Sequence, residues 1–374
     1  MVINFVFISA SARDLYCYIE KHLTHGRILH PESKLVTPNY REIRGFMADL
    51  NPGLIAHHIR QALGSFLSGI CEPGDRVVLA VSGGADSLAL AAATSALLKD
   101  FSLSATAVVV DHQLQDKSEE VALAAAAKCR GLGIADARVV QVEVVPGAGL
   151  EADARTARYQ ALQEVAAEVG AKGILLAHSL NDQAETVILR LARGSGTRSL
   201  GAMRTITPIT GGVPLWRPLL GVPREHLELS LAEYALEAYQ DKHNQDENFL
   251  RVAVRKKIMP VLREVLGESV DLALTRTAFL SQMDADALDA VAATAWNSCQ
   301  DGQDLKTAEV GALHMAIQTR IIRSWLVQQG ANSAALTLEH VMAIHRLMTD
   351  PRVSGPVNVA GGLEVRRESG RLRT

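Results

Sequence analysis

Ser82-Gly83-Gly84-Ala85-Asp86-Ser87 sits between a short aliphatic run and an Ala/Leu-rich stretch. Tandem glycines let a backbone approach an anion closely, and a helix starting there aims unpaired N–H groups at the same point. Ser82 and Ser87 add hydroxyl donors, and Asp86 can hold a Mg²⁺ ion bound to phosphate oxygens. The GxxxxGK[ST] spacing of a Walker loop is missing, together with its lysine. A plain Gly-rich turn capped by Asp86 or Ser87 is the alternative. A second group follows in Ala177-His178-Ser179-Leu180-Asn181-Asp182-Gln183-Ala184-Glu185-Thr186. If the helix already includes His178, then His178, Asp182 and Glu185 share one face; otherwise His178 stands one turn above Asp182. An imidazole and two carboxylates so arranged could bind a second Mg²⁺, hold a cationic amine or move a proton. Each acid alone could also be a first-turn residue favoured by the helix dipole.

Two further segments carry charge at useful positions. In Arg190-Leu191-Ala192-Arg193-Gly194-Ser195-Gly196, Gly194 can end a helix, or Arg193 and the following N–H groups can meet a phosphate. In the stretch from Leu150 to Tyr159, Glu151, Arg155 and Arg158 fall on adjacent helical turns. Solvated ion pairing explains any one of these residues taken singly.

The elements that must position these groups are legible from residue 75 onward. Val77–Val81, Ala105–Val110, Arg138–Val144 and Gly173–Ala177 read as buried strands. Helices over about 85–98, 118–129, 150–168 and 181–192 separate and follow them. Such alternation predicts a doubly wound α/β domain with a parallel sheet, which places both motifs at the carboxyl edge. After Pro223 the strand signal fades into helical segments, with one hairpin expected between Pro356 and Leu372. The predicted organisation is an extension over residues 1–46, a catalytic domain over 47–264 and a smaller, mainly helical domain over 265–374. Residues 1–46 lack a sustained period, and Met47 is a candidate alternative start.

The 374-residue chain is 48% hydrophobic, with a net charge of −3. Nucleic-acid binding would therefore need local basic patches, for which Arg251, Arg255, Lys256, Lys257 and Arg263, and Arg366, Arg367, Arg371 and Arg373, are candidates. Cys17, Cys71, Cys129 and Cys299 form no CxxC pair, which argues against a zinc or redox site. With no run long enough to span a bilayer, the expected location is cytoplasmic, without membrane association. The oligomeric state stays open, a homodimer included.

The Ser82–Ser87 loop resembles the SGGxDS loop of the PP-loop ATP pyrophosphatases. Taken with Val110-Asp111-His112-Gln113-Leu114, Leu150–Leu162 and Ala177–Gly196, it resembles one family within that group, the tRNA(Ile)-lysidine synthetases, whose motifs occur in this order. Asp241–Asp246 resembles the family's DPSNxD segment, and Phe249, Arg251, Arg255 and Pro260 match its F-x-R-x-x-x-R-x-x-x-x-P pattern. Departures are Asn181 for the first Asp of DDQAET, Gln113 for Gly, Lys242-His243 for Pro-Ser, and Val252 for Asn.

The resemblance implies ATP-dependent attachment of free L-lysine to C2 of cytidine 34 in the CAU-anticodon isoleucine tRNA, through an adenylated base. ATP and Mg²⁺ are implied as cofactors. The residues implied for nucleotide binding are Ser82, Gly83, Gly84, Asp86, Ser87, Arg193 and Gly194, with Asp86 and Asp182 as metal ligands. Asp86, Arg155, His178, Asp182 and Glu185 are implied for the chemistry. A tRNA-thiolating PP-loop enzyme is the near rival, and paired cysteines to carry sulfur are missing. A non-catalytic nucleotide-binding protein is the rival from another class, and it would not require the acids after His178.

Overall fold

The computed structural model describes residues 52–374 except 148, 195, 241–245, 248 and 334. The 1–46 extension with Cys17, the start at Met47, Ser195 and residues 241–245 lie outside the described residues. The chain divides into two units, one comprising residues up to 194 with 202–276 and the other 195–201 with 277–374.

The first unit is built on β1 (Arg76–Val81), β2 (Ser104–Asp111), β3 (Asp136–Gln141), β4 (Gly173–Leu175), β5 (Ile206–Thr207) and β6 (Leu215–Trp216). They form one sheet in the order β3-β2-β1-β4-β6-β5. Every pairing is parallel except that of β5 with β6. Helix α1 (Pro52–Ser68) precedes β1, and between the strands run α2 (Ala85–Leu98), α3 (Ser118–Gly131), α4 (Leu150–Glu168), α5 (Leu180–Leu191) and α6 (Thr197–Leu200). The chain continues through α7 (Arg224–Ser230) and α8 (Leu250–Ala253), a π-helical turn (Val254–Ile258) and α9 (Met259–Leu266) into α10 (Val270–Cys299).

The aliphatic strands are continuous because both faces are covered. Val77, Leu79 and Val81 pack with Ile59 and Leu63 of α1, Leu88 of α2 and Ala126 of α3. Val78, Val108 and Ile174 point to the opposite face, against Leu162 and Val165 of α4. Gly173 has a packing reason: a Cβ there would collide with the indole of Trp216 on β6. The chain moves outward from β1 to β2 to β3, then adds β4 on the other side of β1. This reversal makes a topological switch point, and ligands of such sheets bind at the strand carboxyl ends beside it. The loops that leave β1 and β4 there are Ser82–Gly84 and Leu176–Ser179.

The second unit contains β7 (Gln300–Asp301), β8 (Asp304–Lys306), α11 (Thr307–Gly311), α12 (Met315–Gln328), α13 (Leu338–Thr349), β9 (Val357–Val359), β10 (Leu363–Glu368) and β11 (Arg371–Arg373). Its sheet has the order β7-β8-β11-β10-β9, with antiparallel pairings. The expected hairpin is β10–β11, and three further strands extend it beyond what the sequence signalled. Trp325, Leu326, Ile344, Leu347, Val365 and Leu372 form its core. Among the described residues no helix is long and apolar enough to cross a membrane.

Candidate active site

Gly83 has φ +80°, a conformation that side chains disfavour, and a Cβ there would lie 3.2 Å from Ala125 Cβ. Gly84 is the N-cap of α2, so Ala85 and Asp86 open the helix. The two serines brace the turn: Ser87 Oγ accepts from Ser82 N at 3.2 Å and donates to Gly84 O at 2.9 Å. Tyr239 N donates to Gly83 O at 2.9 Å. The first N–H groups of α2 have no partner inside the helix, and they face the point that an anion would occupy.

Asp86 Oδ2 accepts from Arg224 Nε at 3.2 Å, while its Oδ1 is buried without a partner among the described residues. Burial pushes its carboxyl up to about 6; Asp182 and Glu228 act in the same direction and Arg224 opposes them.

His178 precedes α5, because Ser179 is the N-cap. Asp182 closes a capping box, with Oδ2 accepting from Ser179 N and Oγ, both at 2.8 Å. Its other oxygen accepts from Arg224 Nη2 at 2.7 Å and Arg251 Nη2 at 3.3 Å. Burial works against ionisation, yet Arg224 and Arg251 hold this carboxyl well below the usual range. Glu185, one turn on, is 1% exposed. It accepts from Arg255 Nε at 2.7 Å and Nη2 at 3.0 Å, and from Arg251 Nε at 3.1 Å. Arg224 Nη1 stands 3.5 Å from it. Three carboxylates and three arginines thus form one network.

A second, net positive neighbourhood adjoins this one. Burial pushes His178 down to about 3; Asp182 opposes that shift, while Arg217, Arg251 and Arg155 reinforce it. Among the described residues, His178 Nδ1 is buried without a partner, as is Arg217 Nε. Arg155 is exposed on α4, donates to Tyr159 Oη at 3.1 Å and lies 4.9 Å from the ring centroid. At the end of β2, Asp111 Oδ2 and His112 Nδ1 are further buried atoms without partners among the described residues.

The structure therefore brings Asp86, His178, Asp182 and Glu185 together at the switch point, with the loop residues Ser82, Gly83, Gly84 and Ser87 beside Asp86. Arg193 and Gly194 lie in the turn that closes α5, with Gly194 at φ +64° and its N–H on Leu191 O. Among the described residues no contact links these two to the loop. Sequence reasoning missed Arg224 and Arg217, and it gave Arg251 and Arg255 to an RNA surface; both face the acids. The remaining charges of that stretch are also partnered, Lys257 with Glu247 and Arg263 with Asp271. The signal that could have found Arg217 and Arg224 is Arg217-Pro218, at the end of a strand, and Pro223-Arg224, where proline opens a helix at a sheet edge.

Metal fit is limited. Among the described residues no three His, Cys, Asp or Glu side chains form a cage. One carboxylate with a buried, unpartnered oxygen, beside a phosphate-binding turn, does suit Mg²⁺, which takes few protein ligands and shares phosphate oxygens. Asp86 meets that description. Both oxygens of Asp182 are already bonded.

A glycine-rich turn on a parallel sheet, opening a helix toward a buried acid cluster, defines an ATP-using enzyme of the PP-loop class, and the PP-loop domain model matches residues 55–262. The TilS substrate binding domain model matches residues 305–373. The tRNA(Ile)-lysidine synthase of Salinispora tropica is 43% identical over 87% of this chain and 97% of its own. That of Thermobifida fusca is 44% identical over 80% and 91%, respectively. The chain belongs to the tRNA(Ile)-lysidine synthase family. Among solved structures, a U34-tRNA thiolase from Methanococcus maripaludis shares the fold, with TM-score 0.52 and 16% identity over 61% of this chain and 78% of that one.

Proposed function

We propose that this protein joins free L-lysine to C2 of cytidine 34 in the CAU-anticodon isoleucine tRNA, with ATP cleaved to AMP and pyrophosphate. The observation that carries the reading is the meeting of an anion-binding turn and a buried acid–arginine network at one switch point. Adenylation needs a neutralised triphosphate in line with the base oxygen, and lysine attack needs a neutral amine close to C2.

Ser82, Gly83, Gly84 and Ser87 hold phosphate oxygens, and Asp86 supplies the protein ligand of Mg²⁺. Arg155, Arg193 and Gly194 contribute at the rim, to phosphate or base. Asp182 is a fixed negative charge for the lysine ammonium rather than a metal ligand, because its oxygens serve the capping box and the arginines. Glu185, whose two oxygens Arg251 and Arg255 hold at rest, becomes the proton acceptor once arriving phosphate draws those arginines away. His178, pushed down to about 3, is too weak a base for that role and presents a neutral acceptor instead. Arriving phosphates give the arginines an alternative partner and free the acids for the incoming ammonium. The second unit selects the tRNA. The enzyme works in the cytosol.

The test is transfer of labelled lysine to isoleucine tRNA by wild type and Asp86→Asn. Incorporation that the variant loses is expected. ATP-dependent pyrophosphate release without lysine incorporation would overturn the choice of nucleophile, reviving another PP-loop tRNA modification. The widely separated cysteines speak against thiolation.

A further inference from the structure

The Asn181 amide is bonded at both ends. Oδ1 accepts the backbone N–H of Arg224 at 2.8 Å, and Nδ2 donates to Asp271 Oδ1 at 3.1 Å. These partners fix which end is which, because an N–H requires the carbonyl and a carboxylate requires the NH2. Asp271 is 6% exposed in the first turn of α10, and Arg263 holds it at 2.7 and 2.9 Å. Leu180 N donates to Val222 O at 2.9 Å. Two bonds from consecutive residues therefore register the start of α5 against the residues that open α7.

Arg224 is the first residue of α7, and among the described residues its side chain alone touches Asp86, Asp182 and Glu185 together. A shift of its backbone changes all three contacts. An aspartate at 181 could still accept that N–H, but it would set a second carboxylate about 3 Å from Asp271, with one Arg263 between them. We propose that Asn181 is a positioning residue for Arg224, matched to Asp271 as an amide–carboxylate pair, so that this chain requires the amide at 181 because Asp271 faces it. The proposal rests on the site reading above and names what sets its central counter-ion.

The experiment compares Asn181→Asp, Asp271→Asn and the double variant with wild type, reading kcat, KM for ATP and for lysine, and thermal unfolding. Asp86→Asn serves as reference. Asn181→Asp is expected to lower kcat about tenfold while KM for ATP and for lysine change unequally. The double variant, with the donor and acceptor exchanged, should recover most of the loss. Wild-type kinetics in Asn181→Asp, or no recovery in the double variant, would overturn the proposal. So would a loss accounted for wholly by a smaller folded fraction. If Asp86→Asn abolishes lysine transfer while Asn181→Asp is unaffected, only this inference fails; if Asp86→Asn is itself fully active, the site reading fails.

Discussion

The two units use the same residue types in opposite ways. In the first, Asp86, Asp182 and Glu185 share Arg224, Arg251 and Arg255, with the acids at 24%, 10% and 2% side-chain exposure. In the second, the strand arginines are exposed or half-exposed and pair with acids of their own sheet: Arg366 with Glu364, Arg371 with Asp301, and Arg373 with Asp304 and Glu368. Arg367 bonds backbone carbonyls of residues 348–353. Buried charges with shared partners are costly to disturb, whereas exposed pairs contribute little. The comparison teaches that arginine count says nothing about role until each partner and its exposure are known.

Glu185→Gln should break the comparison most severely. It leaves Arg251 and Arg255 short of a buried anion, and about 3–5 kcal/mol of stability is expected to go. Urea unfolding and lysine transfer check this; a loss below 1 kcal/mol would make the network no different from the surface pairs.

Asp86→Asn sharpens it from the other side. The folded-state value of about 6 lies above the ordinary 3.8, so folding favours the protonated form of Asp86. Its favourable contribution is therefore fully present below about pH 4 and is lost as pH rises through 6, up to roughly 3 kcal/mol. Urea stability of wild type should fall relative to Asp86→Asn between pH 4 and about 7, and lysine transfer by the variant should drop about 100-fold or more. Parallel stability curves would contradict the assigned environment.

A smaller effect is expected from Gly83→Ala. It forces a side chain into φ +80° against Ala125, at a cost of about 1–2 kcal/mol, and ATP binding measured by calorimetry should weaken. The smallest effect belongs to Arg373→Ala, which should leave thermal unfolding indistinguishable from wild type. A tRNA affinity loss of tenfold or more in that variant would show that this pair is opened for RNA.

Much of the first unit was legible in the sequence because local pattern carried it. The aliphatic runs at Val77, Ala105 and Gly173 and the intervening helices needed no distant information, and the turn at Ser82 and the acids after His178 followed from local spacing. The partners of those acids did not. Arg251 lies 66 residues from Glu185, and Arg224 lies 138 from Asp86. Charge alone suggested an RNA surface or a solvated basic face; Arg251 and Arg255 turn instead to Glu185, while Lys256 and Lys257 stay exposed. Strands β5 and β6 have two residues each, too short to show a period. Most strands of the second sheet are only two or three residues long, so only the hairpin announced itself.

The contact between Gly173 and the indole of Trp216 has a spectroscopic consequence. The chain has three tryptophans, and Trp296 and Trp325 belong to the second unit. Trp216 is therefore the sole indole fluorophore of the first unit, 3% exposed, with Phe66 edge-on at 5.7 Å and the next residue, Arg217, beside the candidate site. In a chain with phenylalanine at 296 and 325, emission from this one ring would time the loosening of the sheet's edge and register nucleotide arrival without any attached dye.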